Sequence, residues 1–139
     1  MTTFVDTGIL FAAAVRRDAR HQRARRLLES LGGTRPFTTD HVLLETWLMI
    51  RARASWAAAM GFLESTRGTP LSVETTTLAD LERAQAIAMV WRDQQFDLVD
   101  CTSFAVIERV GCHRAASFDA AFAVWRYGAG RRRALEVLA

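Results

Sequence analysis

The chain has 139 residues, half of them apolar and about a quarter charged, which is the composition of one folded domain rather than of a disordered chain. All 18 basic residues are Arg, so the sequence excludes a Walker A lysine, a pyridoxal Schiff base and a lysine general base. The net charge of +3 favours a polyanionic partner, with nucleic acid as the first candidate.

Short β-prone runs alternate with helical segments in the first part of the chain. The run at residues 3–5 stops at Asp6 and is followed by helical periodicity at 9–15 and at 18–31. Gly32 and Gly33 then mark a helix C-terminus. A second strand is predicted at 36–39, and Asp40 is the predicted N-cap of a helix that continues to Ile50.

The same alternation continues to the end of the chain. A helix that contains Trp56 closes near Gly68, a strand is predicted at 71–73, and a long helix at about 77–91. Asp100 and Ser103 together predict the cap of a helix at 101–110, and strands are predicted at 115–118 and 135–138. Strands that alternate with helices predict an α/β fold, in which a mostly parallel sheet is covered on both faces.

Membrane insertion and zinc chemistry are not indicated. No apolar run reaches the roughly 20 residues that a membrane span needs, and the N-terminus lacks the order of a secretion signal. We therefore expect a cytoplasmic protein with no membrane partner. Cys101 and Cys112 lack the paired spacing of a zinc site, and the three histidines form no HExxH pattern.

Four acidic residues lie where an α/β fold places its chemistry. Asp6 and Asp119 each follow a predicted strand, Asp100 opens a helix, and Glu45 lies in an otherwise apolar helix. The site of an open α/β sheet lies beyond the carboxyl ends of its strands, so these residues can share one crevice. Each aspartate could instead be a turn or cap residue, whereas a carboxylate in an apolar helix must find a partner or a metal.

The order and spacing of these acids resemble those of the PIN-domain family, and more narrowly of the VapC toxins, along nearly the whole chain. The matching segments are Phe4-Val5-Asp6-Thr7, Thr38-Thr39-Asp40 on to Leu44-Glu45-Thr46, and Phe96 through Asp100-Cys101-Thr102-Ser103-Phe104 to Phe118-Asp119-Ala120-Ala121-Phe122. The resemblance implies a three-layer α/β sandwich over residues 1–139. It also implies a metal-dependent endoribonuclease that is the toxin of a type II toxin–antitoxin pair.

The resemblance also implies a role for each acid. The family's acidic quartet falls on Asp6, Glu45, Asp100 and Asp119. The three aspartates are expected to hold Mg²⁺ or Mn²⁺, because these hard cations prefer oxygen ligands. Glu45 is expected to hold a metal-bound water or to act as general base, and Thr7 to orient Asp6 through its hydroxyl. The products implied are a 5′-phosphate and a 3′-hydroxyl.

Two positions depart from the family pattern. Asp97 stands where VapC-like sequences often carry a hydroxyl residue, and it adds a carboxylate close to the site. Asp100 is retained as the ligand because the helix-opening context matches there. Gly8 replaces a second small hydroxyl residue, which should not affect metal binding.

The resemblance implies three partners: an RNA substrate, a second copy in a homodimer, and a VapB-like antitoxin whose tail crosses the acidic crevice. The Arg-rich segment at 16–26 and the run at 131–133 are either contacts for RNA phosphates or solvated surface. The four tryptophans could belong to interfaces or to the core.

Three rival functions differ in their requirements. A phosphoacceptor receiver domain normally needs a lysine, and a haloacid-dehalogenase-type phosphatase needs a second Asp where Gly8 stands. A catalytically silent PIN-like module that binds RNA or protein stays an alternative, and a metal titration would separate it from the enzyme.

Overall fold

A five-stranded parallel sheet forms the central layer of the protein. The computed structural model describes residues 1–139. The protein has seven strands, which are β1 (Thr2–Val5), β2 (Arg35–Thr39), β3 (Ser72–Glu74), β4 (Arg114–Ala116), β5 (Arg126–Tyr127), β6 (Arg133–Ala134) and β7 (Glu136–Leu138). Five of them form the parallel sheet, and β5 and β6 form a separate antiparallel pair. The parallel sheet has the order β3-β2-β1-β4-β7, so the strand order reverses between β1 and β4. Ligands of open α/β sheets bind beyond the strand ends at such a point.

Seven α-helices flank the sheet. They are α1 (Thr7–Ala14), α2 (His21–Ser30), α3 (Asp40–Arg53), α4 (Trp56–Thr66), α5 (Leu78–Val90), α6 (Leu98–Val110) and α7 (Ala121–Val124). Neighbouring helices pack as pairs, α1 with α2, α3 with α4 and α5 with α6. This is the predicted α/β sandwich, and the prediction of the fold is confirmed. None of the helices combines the length and the apolar character that crossing a membrane requires.

A ladder of aromatic rings crosses the core beneath the carboxyl ends of the strands. Phe4 of β1 stacks on Phe122 at 5.9 Å between ring centres, and Phe122 meets Phe104 of α6 at 4.9 Å. Phe104 in turn stacks on Trp125 at 4.4 Å. All four side chains are buried. The ladder therefore fixes β1, α6 and α7 relative to one another, and a predicted site residue lies on or next to each of these elements.

Several element boundaries differ from those predicted. The N-cap of α3 is Thr39, whose hydroxyl accepts a hydrogen bond from the N–H of Val42 at 3.2 Å, and not Asp40. Thr and Asp are both good N-caps, so sequence alone does not choose between neighbours. The antiparallel hairpin of β5 and β6 was not predicted, because each strand has two residues and shows no alternation.

Candidate active site

Asp6 lies directly after β1, where the strand order reverses. Its side chain is buried, and the hydroxyl of Ser117 donates a hydrogen bond to Asp6 Oδ2 at 2.8 Å. The backbone N–H of Asp6 donates to the carbonyl oxygen of Ala116 at 3.0 Å. The end of β4 and the residue after it therefore hold both the backbone and the carboxylate of Asp6.

Ser117 also links Asp6 to a second acid. Its hydroxyl accepts a hydrogen bond from the N–H of Asp119 at 3.0 Å, and Asp119 Oδ1 accepts one from the N–H of Ala121 at 2.9 Å. Asp119 is thus held at the beginning of α7. Sequence reasoning missed Ser117, because one serine after a strand carries no pattern of its own; its only signal was its position two residues before Asp119.

The beginning of α6 corrects one prediction and places the third acid. The N-cap is Asp97, whose Oδ1 accepts a hydrogen bond from the N–H of Asp100 at 2.8 Å. The expectation that Asp100 and Ser103 cap this helix is wrong, because the helix begins one turn earlier. Asp97 has a structural role, and the carboxylate of Asp100, which accepts no hydrogen bond from a side chain, is left for other contacts.

A polar network places Glu45 by fixing α3 against α6. One turn before Glu45, His41 Nε2 lies 3.1 Å from the hydroxyl of Ser103 on α6, and Nδ1 lies 2.7 Å from the hydroxyl of Thr76. Thr76 donates a hydrogen bond to Asp40 Oδ1 at 2.6 Å. Burial lowers the pKa of His41, so its neutral form is favoured. This network joins distant segments and was also missed by sequence reasoning.

The four predicted acids line one cleft of about 310 Å³, here called the acidic cleft. Its lining residues are Asp6, Thr7, Gly8, Arg20, Glu45, Met49, Asp97, Asp100, Phe118 and Asp119. The structure therefore brings together every site residue predicted from the sequence and adds Asp97, the acid that departs from the family pattern.

Burial and mutual repulsion disfavour the charged forms of two of these acids. Burial raises the pKa of Asp6 to about 6, against the lowering effect of the hydrogen bond from Ser117. Burial, and then the charges of Asp97 and Asp119, raise the pKa of Asp100 to about 8. A bound cation would favour the ionised form of both.

No basic side chain forms an ion pair with the carboxylates of the acidic cleft, although Arg20 is one of its lining residues. The ion pairs of the protein all lie elsewhere, and they are Arg83–Glu108, Arg109–Glu74, Arg109–Asp80 and Arg114–Glu136. The carboxylates of the acidic cleft thus form no ion pair within the protein. Their negative charge is available to an external cation.

The hydroxyl of Thr7 is buried and has no hydrogen-bond partner. The expectation that it contacts Asp6 is wrong, since Ser117 supplies that contact. An unpartnered hydroxyl beside carboxylate oxygens fits a hydrated cation, because a water bound to the cation can form a hydrogen bond with that hydroxyl. No three side chains are gathered tightly enough to form a preformed metal centre. Mg²⁺ keeps several waters and takes one or two carboxylates, so the residues fit this kind of ion.

The family model for the PIN domain matches residues 3–125. This chain belongs to the PIN-domain family. The match begins within β1, ends at Trp125 and includes all four acids. The predicted resemblance to this family is confirmed.

The relatives of this PIN domain are VapC endonucleases. The chain is 38% identical over 120 residues to the 23S rRNA-specific endonuclease VapC20 of two Mycobacterium tuberculosis strains, CDC 1551 / Oshkosh and H37Rv. The alignment covers 86% of this chain and 90% of those proteins. The crystal structure of M. tuberculosis VapC20, a sarcin–ricin loop cleaving toxin, superposes with a TM-score of 0.79 at 33% identity, covering 85% of this chain and 90% of that one.

A more distant structure extends the similarity in fold. VapBC2 from Rickettsia felis, bound to a DNA fragment from its promoter, matches with a TM-score of 0.72 at 11% identity. The match covers 99% of this chain and 98% of that chain. At this identity the likeness supports the fold alone.

Proposed function

We propose that this PIN domain is a VapC-type endoribonuclease, the toxin of a type II toxin–antitoxin pair, and that it hydrolyses RNA phosphodiester bonds in the acidic cleft. One observation carries the proposal: carboxylates from four separate segments line a single cleft in which none of them forms an ion pair. The identity to VapC20 supports it independently. A catalytically silent binding module would have no need of unpaired buried acids, which lower stability.

Asp6, Asp100 and Asp119 are the residues that would hold Mg²⁺ or Mn²⁺, directly or through the waters that such an ion keeps. When bound, the ion supplies positive charge against the phosphate and lowers the pKa of water. Ser117 orients the carboxylate of Asp6, and the backbone hydrogen bond to Asp97 fixes the helix turn that carries Asp100.

We assign Glu45 and Thr7 to the activation and positioning of the attacking water. Glu45 is the acid of the cleft that stands on α3, apart from the strand ends, and we assign it the role of general base. The unpartnered hydroxyl of Thr7 is free to position that water or a phosphate oxygen. No histidine lines the cleft, so proton transfer is assigned to a carboxylate.

The test is cleavage of a defined RNA. A synthetic 23S rRNA fragment that contains the sarcin–ricin loop is the first substrate to use, because the relative VapC20 is specific for 23S rRNA. We expect one cut in Mn²⁺ or Mg²⁺, none in EDTA, and a 3′-hydroxyl on the product. A transfer RNA mixture measures selectivity. Undiminished cleavage in EDTA by a homogeneous preparation would contradict the metal mechanism.

Exposed apolar side chains support the proposed homodimer and antitoxin complex. Leu44 and Leu48 are 67% and 60% exposed one turn apart on α3, and Trp56 is 60% exposed at the beginning of α4. By contrast, Trp125 belongs to the core. Exposed apolar side chains that share a face, as Leu44 and Leu48 do on α3, are typical of interaction surfaces. Light scattering at tens of micromolar should give a dimer, and a monomer would contradict this part.

The antitoxin is expected to reach the acidic cleft with a basic residue near its C-terminus. Such a cation replaces the charge of the metal ion among the carboxylates. Removing the antitoxin's basic residues should therefore relieve its inhibition of RNA cleavage, and unchanged inhibition would contradict this mode of binding.

A further inference from the structure

Arg20 is the one basic residue that lines the acidic cleft, and it forms no ion pair. Its guanidinium carbon lies 4.9 Å from the centre of the Phe118 ring, and that of Arg23 lies 5.5 Å from the same ring. An aromatic face attracts a guanidinium group without using its N–H donors. Phe118 therefore holds two guanidinium groups at the edge of the cleft and leaves their N–H donors free to form hydrogen bonds.

The position of this pair is set by the local structure. Phe118 lies between Ser117 and Asp119, in the loop whose hydrogen bonds hold Asp6 and Asp119. Its ring also packs against α1, because a Cβ placed on Gly8 would lie 3.8 Å from it. The backbone N–H of Arg20 donates to Asp18 Oδ1 at 2.8 Å. Arg20 and Arg23, three residues apart at the beginning of α2, lie on one face. The two guanidinium groups are thus fixed relative to the carboxylates.

The beginning of α2 adds to the positive potential at this place. Its first turn contains no acidic residue, and its N-cap residue makes no side-chain capping hydrogen bond. The one carboxylate at this end, that of Asp18, accepts from the N–H of Arg20 and so offsets part of this potential. The first backbone N–H groups of a helix carry partial positive charge, which favours an anion beside them. Together with the two guanidinium groups, this end of α2 has the chemistry that binds a phosphate group.

We infer that Arg20, with Arg23, binds the RNA backbone phosphate adjacent to the one that is cut. This inference rests on the proposed function, since it takes the acidic cleft as the place of cleavage. The carboxylates attract the metal ion but repel the flanking phosphates of the strand, so the RNA needs a cationic contact beside the cleft. Arg20 and Arg23 are substrate-binding residues, and Phe118 is a positioning residue.

The experiment is steady-state cleavage of the sarcin–ricin loop fragment in Mn²⁺ at several KCl concentrations. Arg20→Gln should raise KM about 5- to 20-fold with kcat within about threefold, and should reduce the slope of log KM against log salt by about 0.7 to 1. Arg23→Gln should act in the same direction and more weakly. Arg25→Gln is the matched control, because Arg25 is exposed on the same helix and forms no cation–π contact with Phe118. It should leave KM within about twofold.

Two further variants test how the pair is held. Arg20→Lys keeps the charge but loses the planar fork, and should give a KM between those of the wild type and Arg20→Gln. Phe118→Leu keeps an apolar side chain without a ring to hold the guanidinium groups, and should raise KM less than Arg20→Gln. Circular dichroism of each variant checks that the fold is retained.

Several outcomes would overturn the inference. Equal effects of Arg20→Gln and Arg25→Gln would mean that only the overall charge of α2 matters. A loss confined to kcat, or a change confined to inhibition by the antitoxin, would place Arg20 elsewhere in the chemistry or at a protein contact. If the wild type does not cut RNA, the proposed function fails, and binding of the same fragment to the wild type and to Arg20→Gln then decides the inference alone.

Discussion

Asp6 and Asp80 expose similarly little surface, 4% and 3%, but Asp6 lies deeper in the protein, and their surroundings shift their pKa values in opposite directions. At the beginning of α5, burial raises the pKa of Asp80, but hydrogen bonds from Arg109 and Thr77 overcome it and lower the pKa below its usual value. Arg109 reaches both carboxylate oxygens, at 2.9 and 3.0 Å. Asp6 has no cation beside it and only the hydroxyl of Ser117 and the backbone of Thr7 as hydrogen-bond partners, and burial raises its pKa to about 6.

The contrast separates an acid that holds the fold together from acids kept for a ligand. A buried carboxylate normally pairs with a cation and hydrogen-bond donors, because an unpaired buried charge costs several kcal/mol. Asp80 follows that rule at the packed junction of α5 and α6. Unpaired acids with raised pKa values gather at functional sites, and here they gather in the acidic cleft.

The largest effect is expected from Asp6→Asn. It removes a proposed metal ligand and a buried charge while keeping an acceptor for the hydroxyl of Ser117. The cleavage rate should fall by about 100-fold or more, since loss even of an outer partner of a metal ligand costs 10- to 100-fold. At pH 8 the free energy of unfolding without metal should rise by about 1 to 3 kcal/mol. A variant that is both inactive and less stable would remove the contrast with Asp80.

Asp100→Asn and Asp97→Asn test which acid at the beginning of α6 serves the reaction. Asn is as good an N-cap as Asp, so Asp97→Asn should keep the hydrogen bond from the N–H of Asp100 and lose no more than about threefold in rate. Asp100→Asn should lose about 30- to 100-fold. Each variant replaces one carboxylate oxygen by an amide nitrogen, and the two positions lie on the same helix turn, so each variant is the control of the other. Equal losses would show that both acids bind the metal.

Ser117→Ala removes the one side-chain hydrogen bond to Asp6 and the acceptor for the N–H of Asp119. The cleavage rate should fall about 10-fold, at the lower end of the range for outer partners of metal ligands. Because that hydrogen bond lowers the pKa of Asp6, the acid limb of the pH–rate profile should move to higher pH. Ser30→Ala is the control, an exposed serine bonded to its own helix. An unmoved acid limb would mean that Asp6 does not depend on Ser117.

Arg109→Gln removes the cation that pairs with Asp80 and leaves this carboxylate without an ion pair, as Asp6 is in the wild type. Urea unfolding should show a loss of about 1 to 2 kcal/mol, less than for a fully buried pair because the side chain of Arg109 is 39% exposed. Arg83→Gln is the matched control, since Arg83 and Glu108 join the same two helices as a more exposed pair, 52% and 24%. It should cost less than about 1 kcal/mol. Neither variant should alter RNA cleavage, and a large loss of activity in either would contradict the separation of the two regions.

The sequence predicted the order of the elements and the identity of the acids, but not the contacts that bring them together. Helical periodicity and β-prone runs can be recognised within short stretches of sequence, and their alternation was enough to predict an α/β fold. Asp97 and Asp100 compete as caps of one helix, and only the packed structure shows that the helix begins at the first. Ser117 and the contact between His41 and Ser103 join segments far apart in the chain, and no local pattern marks such contacts.

The raised pKa of Asp6 has a defined consequence for stability. Its carboxyl group binds a proton more tightly in the folded chain than in the unfolded one, so without metal this group's contribution is fully present below about pH 4. The contribution is lost as pH rises from about 4 to 6, and the raised pKa of Asp100 extends the loss toward pH 8. Asp6→Asn should flatten the first part of this decline. Thermal unfolding between pH 4 and 8 in EDTA measures it.

Thermal unfolding at pH 8 with increasing Mn²⁺ tests most directly whether the acidic cleft is kept unpaired for a cation. A ligand at 100 times its Kd adds about 2.7 kcal/mol to the stability of the state that binds it. The Tm of the wild type should therefore rise by several degrees with Mn²⁺, while Asp6→Asn should begin at a higher Tm and respond little. An equal rise in both proteins, or no rise in the wild type, would contradict the account.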